Sequence, residues 1–420
     1  MKRRIFFKKS AQMLVGVSAG CLIPGGGKGF FSSPHMHRSH FSDEETIKVL
    51  ELRGTPRQRG QIHGEALRDK ISELIEIWFD DLRSNRRMDP EACIDDFLEN
   101  TQFPLAIKKW TPDLLEEVKG IAEGSGIDYK TIFAYQVGEE EGWYARRKEP
   151  DSPVDPFSVS LMKRCSGLGV YDQEGLPSLV AQNQDYTLKD GYEALLHIKH
   201  DNSSLESYVF TLAGLIAILP GMNNSPLGIC ANALPQLAPR PDGLPVAFIA
   251  RGVLERRSYT DAVKFIHDIK HATGQNYIIG GPGEVGSYEC SANKVSRYVP
   301  YPGANRVYHT NHVLVNDDLD KTLDADSVYG GFLPNTQARF RALERRLKDP
   351  SKRITVGTAK AALSSHDDPE FPVCRHTPKP GGVGFTAGCG IAELSDPPVF
   401  HFAPGPPCST KFRTYAFASR

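Results

Sequence analysis

The sequence predicts an α+β fold in which a helical N-terminal segment precedes a part rich in strands. Between residues 46 and 135, apolar residues recur at three- and four-residue steps, which indicates amphipathic helices. After residue 165, short β-branched or aromatic runs are separated by Gly, Pro and Asn, as in strands joined by tight turns. Because helices and strands are grouped rather than alternating, the pattern favours layered sheets and helices over a doubly wound parallel sheet.

The helical part has two well-marked helices and ends in a polar stretch. The apolar stripe of the first helix consists of Ile62, Ala66, Leu67, Ile71, Leu74, Ile75, Trp78 and Phe79. A later helix is predicted after Thr111-Pro112, where the threonine can cap the helix and the proline fits its first turn. The charged, proline-rich stretch 146–157 cannot form the interior of an element, so we expect an exposed connection there.

The strand-rich part contains short strands and two further helices. Strands are predicted at 178–185, 207–212, 228–233, 276–279, 306–310, 390–394 and 399–402. One helix begins after Ser258 and ends at Gly274, and the other spans 335–347. The arginines of the second helix are predicted to lie on a solvated face; they are Arg339, Arg341, Arg345 and Arg346.

The first 40 residues differ in composition from the rest of the chain. Arg3-Arg4 precede three apolar residues and a lysine, and the 13 residues from 11 to 23 carry no charge. A basic region followed by a short apolar region predicts a twin-arginine-type export signal, with a flexible leader up to residue 40. Thirteen residues fall short of the roughly 20 that cross a bilayer, so no stable membrane span is expected. Lipid anchoring at Cys21 stays an open alternative for a periplasmic or extracellular protein.

Charge and cysteine content exclude several classes of partner. The chain has 50 basic and 51 acidic residues, so no bulk charge points to nucleic acid or to an anionic membrane. Its eight cysteines are scattered singly, without a CxxC pair, and indicate neither a zinc ribbon nor a disulfide scaffold. His309 and His312 with His366 and Asp367 form too loose a pattern for a metal site. We therefore predict no cofactor and no metal.

Cys165 is the candidate nucleophile. It follows the polar connection and lies at the start of a strand segment, so one cleavage would make it a chain terminus. Its α-amine would then have an ordinary pKa of about 7.7–8.0 and could take the thiol proton. Nucleophile and base would thus reside on one residue. A buried structural cysteine is the alternative interpretation.

Polar clusters at predicted strand ends could complete such a site. They are Gln182-Asn183-Gln184-Asp185, Glu289-Cys290-Ser291, Tyr308-His309-Thr310-Asn311-His312, and Cys374-Arg375-His376 after His366-Asp367-Asp368. Amide and hydroxyl groups gathered in this way suit an oxyanion hole, where a donor meets charge that develops on a carbonyl oxygen. Taken singly, an Asn or Asp at a strand end is more often part of a turn than of a catalytic site. The Gly281–Gly286 stretch satisfies GxGxxG, but a strand-like run follows it, which predicts a hairpin turn rather than a dinucleotide site.

The order of these clusters resembles the acyl-coenzyme A:isopenicillin N (6-aminopenicillanic acid) acyltransferase family, an autoprocessing, cysteine-peptidase-like branch of the N-terminal-nucleophile hydrolases. The matching stretches are Arg53-Gly54-Thr55-Pro56, Gly60-Gln61-Ile62-His63-Gly64, Gly120-Ile121-Ala122-Glu123-Gly124-Ser125-Gly126, Cys165-Ser166, Gln182-Asn183-Gln184-Asp185, Asn276-Tyr277, His309-Thr310-Asn311-His312, Cys374-Arg375 and Gly405-Pro406-Pro407-Cys408. The resemblance runs from about residue 46 to the C-terminus. It implies a four-layer αββα sandwich, with 41–164 as a pro-segment and 165–420 as the catalytic chain of one composite domain.

The resemblance also implies roles for site residues. It predicts that the Arg164–Cys165 bond cleaves itself and that Cys165 is the nucleophile. By the same resemblance, Asp185 orients the new amine, Asn311 donates to the oxyanion and Ser291 lies near the amine. Arg375 either steadies the site or meets a substrate carboxylate. The sequence departs from the family pattern in having Arg164 where glycine is usual and Gln184 where an aromatic residue is common.

The predicted activity is therefore hydrolysis or acyl transfer at carbon–nitrogen bonds of a small acylated substrate, through a Cys165 thioester. An acyl-coenzyme A donor is compatible with the resemblance, and the two chains made by cleavage are expected to stay associated. Two alternatives stay open at this point. One is a papain-like thiol hydrolase that remains a single chain, and the other is an exported binding protein that has lost cleavage and catalysis.

Overall fold

The computed structural model describes residues 47–148, 164–186, 191–201, 203–322, 332–376 and 384–417. The predicted export signal, Cys21 and the leader, and residues 149–157 of the predicted connection, therefore lie outside the described residues. Within the described ranges, no helix combines the length and apolar character needed to cross a bilayer.

Helices occupy most of the chain before residue 149, as predicted. They are α1 (Pro56–Ala66), α2 (Arg68–Arg86), α3 (Pro90–Glu99), α4 (Phe103–Trp110), α5 (Pro112–Ser125), α6 (Tyr129–Gln136) and α7 (Gly138–Lys148), followed later by α8 (Val246–Leu254), α9 (Tyr259–Asp268), α10 (Phe332–Leu347) and α11 (Val356–Leu363). Thr55 caps α1 in a capping box with Gln58. Ser258 caps α9 as predicted, whereas the Thr111 side chain makes no capping hydrogen bond to α5.

All seven predicted strands are present within a larger set. The strands are β1 (Lys48–Leu52), β2 (Ser166–Val170), β3 (Ser178–Tyr186), β4 (Glu193–Lys199), β5 (Glu206–Leu212), β6 (Gly221–Asn223), β7 (Leu227–Ala233), β8 (Gln275–Gly281), β9 (Glu284–Cys290), β10 (Val295–Tyr298), β11 (Arg306–His309), β12 (Phe385–Leu394), β13 (Val399–Ala403) and β14 (Arg413–Ala416). The GxGxxG stretch is the predicted hairpin, in which Gly281 pairs with Glu284 and Gly283 has a φ of +77°.

Several predicted boundaries are wrong, among them the following three. Residues 48–52 were included in the helical part but form β1, because Leu50 and Leu52 alternate toward the core and the strand pairs in parallel with β4. The predicted connection starts too early, since α7 continues to Lys148. The helix after Ser258 ends at Asp268 rather than at Gly274.

Two sheets pack face to face between layers of helices. In the described residues the first sheet has the order β1-β4-β5-β6-β7-β8-β9-β10, and the second has the order β11-β2-β3-β12-β13-β14. Strands β2 and β3 contact β7, β8 and β9 across the sandwich. Helices α8 and α9 cover the first sheet, while α10 and α11 cover the second. The predicted four-layer αββα sandwich is thus confirmed.

The N-terminal helices share a hydrophobic core with the first sheet. Ile71 and Leu74 of α2 belong to the same buried cluster as Leu195 of β4 and Phe210 of β5. Contact between apolar surfaces of this extent is the main favourable contribution to folding. Residues before and after Cys165 therefore stabilise one another, and they position the polar groups at one end of the sandwich.

Glycines allow α1 and α5 to approach to backbone contact. A methyl group on Gly60 would lie 1.9 Å from the carbonyl oxygen of Glu117, and one on Gly120 would lie 2.0 Å from that of Arg57. Gly64 and Gly124 meet the partner backbone in the same way one turn later. The glycines of two stretches that match the family pattern are therefore required by helix packing.

We expect Gly60→Ala to lower the free energy of unfolding by about 3 kcal/mol, the upper end for overpacked sites, because backbone atoms must move to admit the methyl group. Urea denaturation followed by circular dichroism measures the change. Gly357→Ala at the start of α11 is the matched control, since its methyl group would approach no atom closer than 3.6 Å. Equal losses in the two variants would contradict the packing argument.

Candidate active site

Cys165 lies directly before β2 and is fully buried in the intact chain. Its backbone N–H donates to Asn311 Oδ1 at 3.0 Å, and its thiol donates to Gln184 Oε1 at 3.3 Å. Gln182 also donates to Gln184 Oε1, at 3.1 Å, which fixes the orientation of that amide. The backbone nitrogen and the sulfur of Cys165 are therefore both held by side-chain amides.

The loop that carries Asn311 follows β11 and is organised by a buried carboxylate. Glu289 on β9 accepts backbone N–H groups from Leu314, Val315 and Asn316, and its other contact is His309 Nε2 at 2.9 Å. Burial opposes ionisation of Glu289, but its contact with His309 and these backbone donors hold its pKa below the ordinary value. This anchored carboxylate keeps the loop, and with it the Asn311 side chain, in place.

Arg339 on α10 contradicts the prediction of a solvated arginine face. It is fully buried, and it donates to the carbonyl oxygen of Cys165 at 2.7 Å, to Ser166 Oγ at 3.0 Å and to Asn311 Oδ1 at 2.9 Å. Its position four residues before buried Leu343 places it on the core face of the helix, a spacing that the sequence contains. Burial lowers the pKa of Arg339 to about 10, so it is still charged at neutral pH.

Asp185 faces the opposite side of β3 from Gln184, as the two-residue repeat of a strand requires. It is buried, and its Oδ1 accepts a hydrogen bond from Thr386 Oγ1 at 2.7 Å. Its Oδ2 has no hydrogen-bond partner among the residues that the structure describes. Burial raises the pKa of Asp185, and the nearby positive charges of Arg375 and Arg339 oppose that rise.

Arg375 lies within electrostatic reach of Asp185, whereas the hydrogen bonds of Ser291 lead away from Cys165 and Asp185. The Arg375 N–H donates to Thr386 Oγ1 at 3.0 Å, so its backbone is tied to the partner of Asp185. Ser291 follows β9, and its hydroxyl donates to Asp318 Oδ2 at 2.6 Å and to the carbonyl oxygen of Lys294. In the described residues, the structure thus groups Cys165, Asp185, Asn311 and Arg375, while the hydrogen bonds of Ser291 lead to other partners.

A further amide, not singled out by sequence reasoning, faces the strand that follows the nucleophile. A methyl group on Gly167 would lie 3.3 Å from Asn232 Oδ1, which accepts from Asn276 at 3.1 Å. Ser287 in turn donates to Asn276 Oδ1 at 2.7 Å. This chain of hydrogen bonds fixes the amide, and the buried Asn232 Nδ2 is left without a partner in the described structure. The Gln184 amide nitrogen, beside the thiol, is likewise buried without a hydrogen-bond partner in the described structure.

The loosely grouped histidines of the sequence do not form one set in the structure. His309 contacts Glu289, and His312 contacts Thr336 Oγ1 at 3.1 Å. Asp367 pairs with Arg346 on α10. His366 lies elsewhere, with a ring nitrogen 3.1 Å from that of His376.

Comparison with known proteins decides the family. The model of the acyl-coenzyme A:6-aminopenicillanic acid acyl-transferase family matches residues 172–382, half of the chain. The chain belongs to this family. The family is described by its acyl-transferase activity, and in the described residues this chain has two sheets packed between helices.

Individual proteins match this chain over a shorter stretch or at low sequence identity. Protein dcd1A of Dictyostelium discoideum is 35% identical over 112 residues, which cover 23% of this chain and 25% of that protein. The match therefore spans about a quarter of the length of this relative. A Caenorhabditis elegans N-acylethanolamine-hydrolyzing acid amidase ortholog superposes with a TM-score of 0.39 and 15% identity, over 55% of this chain and 93% of that one. A conjugated bile acid hydrolase from Clostridium perfringens gives a TM-score of 0.38 and 12% identity, over 60% and 97%.

Proposed function

We propose that this family member is a self-cleaving amidohydrolase or acyltransferase that uses Cys165 as an N-terminal nucleophile. The observation that carries the proposal is the contact between the Cys165 nitrogen and Asn311 Oδ1, made while the Cys165 thiol contacts Gln184. Any buried backbone N–H needs an acceptor, but that of Cys165 is bound by a side-chain amide, whereas Cys93 and Cys374 donate theirs to backbone carbonyls. After cleavage, the same nitrogen would be an amine already held beside its own thiol.

The first reaction is cleavage of the chain. The Cys165 sulfur attacks the Arg164 carbonyl carbon, the carbon–nitrogen bond breaks, and the α-amine of Cys165 leaves with a proton. Water then hydrolyses the thioester, which gives an Arg164 carboxylate and a free thiol. Because Cys165 is fully buried in the intact chain, a substrate carbonyl can reach the sulfur only after the groups that cover it have moved.

The second reaction is turnover of substrate. The new amine takes the thiol proton, the thiolate attacks the acyl carbon of the substrate amide, and the departing amine takes the proton. Water completes hydrolysis of the acyl-thioester, or an amine acceptor completes transfer. In the transfer reaction an acyl-coenzyme A would supply the acyl group instead of the amide. The unpartnered Oδ2 of Asp185 is available to orient the amine.

Sequencing the N-terminus of the purified protein tests the proposal directly. We expect two chains, one of which begins at Cys165 and ends at Arg420, together with a second N-terminus that reports removal of the export signal. A single uncut chain that hydrolyses amides would favour a papain-like thiol hydrolase. An uncut chain that neither hydrolyses nor transfers, and whose ligand binding survives Cys165→Ala, would favour the binding protein.

The oxyanion donor is tested by two amide variants in parallel. Loss of one such donor costs about 2.7–4 kcal/mol of barrier, so we expect Asn311→Ala to slow turnover about a hundredfold or more. Because Asn311 Oδ1 also holds the Cys165 nitrogen, chain cleavage should slow in the same variant. Asn232→Ala is assayed beside it for amide hydrolysis and for the fraction of chain cleaved. A near-normal turnover rate in Asn311→Ala would remove Asn311 from this role.

The ionisation of Asp185 should set the acidic limit of activity. Thr386 donates to the carboxylate and so favours its charged form, and its removal must raise the Asp185 pKa further. If the ionised carboxylate orients the amine, activity falls on acidification as Asp185 becomes protonated. In Thr386→Val this fall should occur at a higher pH than in the unmodified enzyme. The pH profile of kcat/KM for both enzymes measures the shift, with Thr414→Val on β14 as the control. An acidic limb that stays in place, or moves to lower pH, would contradict this role.

A further inference from the structure

Four side chains with metal-binding atoms converge beside the second sheet. His366, Cys374, His376 and Cys408 each offer one ligand atom, and these atoms all lie within 4.8 Å of one another. The first three come from the segment between α11 and β12, and Cys408 comes from the turn after β13. Because β12 and β13 are antiparallel neighbours, the start of one and the end of the other lie at the same end of the sheet.

Three of the six separations between these ligand atoms are close to those around a tetrahedral ion, and the other three are at most 4.8 Å. Nε2 of His366 and Nε2 of His376 are 3.1 Å apart, the sulfurs of Cys374 and Cys408 are 3.4 Å apart, and Cys408 Sγ lies 3.3 Å from His376 Nε2. Bonds of about 2.0–2.3 Å from zinc to nitrogen and sulfur place tetrahedral ligands about 3.3–3.8 Å from each other. An ion at the centre therefore requires shifts of only a few tenths of an ångström along these edges.

The surrounding backbone already holds the ligands in this arrangement. The Cys374 N–H donates to the carbonyl oxygen of Ser365 at 3.1 Å, next to His366. Asp367 is paired with Arg346 on α10. The turn 406–410, which presents Cys408, is closed by its own backbone hydrogen bonds. Cys374 is buried, whereas the other three ligands are exposed, so an ion can enter from solvent.

We propose that His366, Cys374, His376 and Cys408 bind one zinc ion in a structural Cys2His2 site. Two thiolates and two imidazoles are ligands that zinc prefers, and four protein ligands leave no position open for substrate or water. Both thiols lose their protons on binding, so the ion displaces two protons to solvent. This site lies outside the chemistry proposed for Cys165.

The site has a consequence for the active site. Cys374 and His376 flank Arg375, whose N–H donates to Thr386 Oγ1, the hydrogen-bond donor to Asp185. An ion bound on both sides of Arg375 fixes this backbone relative to the turn after β13. Bound zinc would thus restrict the position of the segment that supports Asp185, without contacting the nucleophile.

A disulfide between Cys374 and Cys408 is the competing use of the two sulfurs. Such a bond is favoured in oxidising compartments, where exported proteins reside. A disulfide would leave the two histidines without a role and would release no zinc on denaturation. The two states differ in composition, so they can be separated by experiment.

The test uses the full chain, purified without chelator, and measures zinc by mass spectrometry after gel filtration. We expect about one zinc per chain, lost in Cys408→Ser and in His366→Ala, with an affinity decrease greater than the roughly 10–100-fold that loss of a supporting residue costs. Because Cys408 and His366 are exposed, neither variant removes core packing. Cys93→Ser and His267→Ala are the matched controls and should retain the ion.

Cobalt provides a second readout that does not depend on activity. Replacing zinc by Co²⁺ should give tetrahedral ligand-field bands and thiolate-to-cobalt charge-transfer absorption, both lost in Cys408→Ser. Failure of the reduced protein to retain added Zn²⁺ or Co²⁺ would overturn the proposal. A mass lower by two hydrogens, mapped to Cys374 and Cys408 and formed even with zinc present, would also overturn it in favour of the disulfide.

Discussion

Replacing Cys165 by alanine should leave one uncut chain and reduce amide turnover by on the order of a millionfold, the effect of removing the nucleophile of a serine protease. Both losses would have one cause, since in the proposed mechanism the same sulfur attacks the Arg164 carbonyl and the substrate carbonyl. Cys165→Ser should cleave slowly, because a hydroxyl is a weaker nucleophile than a thiol. Intact-mass measurement reports cleavage, and release of amine from an N-acyl amide reports turnover.

The control for this experiment is another buried thiol of the same sheet. Cys389 on β12 is fully buried and belongs to the hydrophobic cluster beneath α10 and α11. We expect Cys389→Ala to reduce stability modestly while leaving both cleavage and turnover in place. Cleavage that persists in Cys165→Ala would show that another group, or a contaminating protease, cuts the chain.

Replacing Arg339 by methionine should destabilise the protein by about 3–5 kcal/mol, the cost of removing one partner from a buried charged network. The substitution removes the Arg339 donor to the carbonyl oxygen of Cys165 and one of the two donors to Asn311 Oδ1, and it removes one positive charge near Asp185. Chain cleavage should fail with it, because the carbonyl and the loop that surround the nucleophile lose their support. Arg339→Lys keeps the charge but lacks the planar fork, so we expect an intermediate loss.

Arg341→Met on the same helix is the matched control, because Arg341 is exposed and the chemical change is identical. Denaturant unfolding gives the difference in free energy between the two variants, and intact mass gives the fraction cleaved. Similar stabilities, with cleavage preserved in Arg339→Met, would show that the buried guanidinium only fills space.

Local patterns predicted the strands and most helices of this protein because each depends on a short repeat. The run 228–233 reads as a strand from its own residues, and so does 178–185. The strand β1 was missed since its five residues gain their stability from pairing with β4, more than 140 positions away. Tertiary pairing of this kind overrides local preference and leaves little trace in the sequence.

Part of the candidate site was predictable from the sequence, and part was not. The order of polar clusters indicated Cys165, Asp185, Asn311 and Arg375, which the structure brings together. Arg339 was assigned to the solvated face because it was counted together with Arg341, although its spacing from Leu343 marks the buried face. The histidine–cysteine cluster could not be predicted, since Cys408 reaches it only through the antiparallel pairing of β12 and β13.

Because α2 shares a core with β4 and β5, the order of folding and chain cleavage matters. If the bond before Cys165 is cut, the helical front and the sheets become separate molecules held by burial alone, and recovery from complete unfolding would require the two fragments to meet again. A single uncut polypeptide avoids this bimolecular search. Under the proposed mechanism, cleavage before Cys165 therefore has to follow folding, and the helical segment would remain bound to the sheets as a permanent subunit.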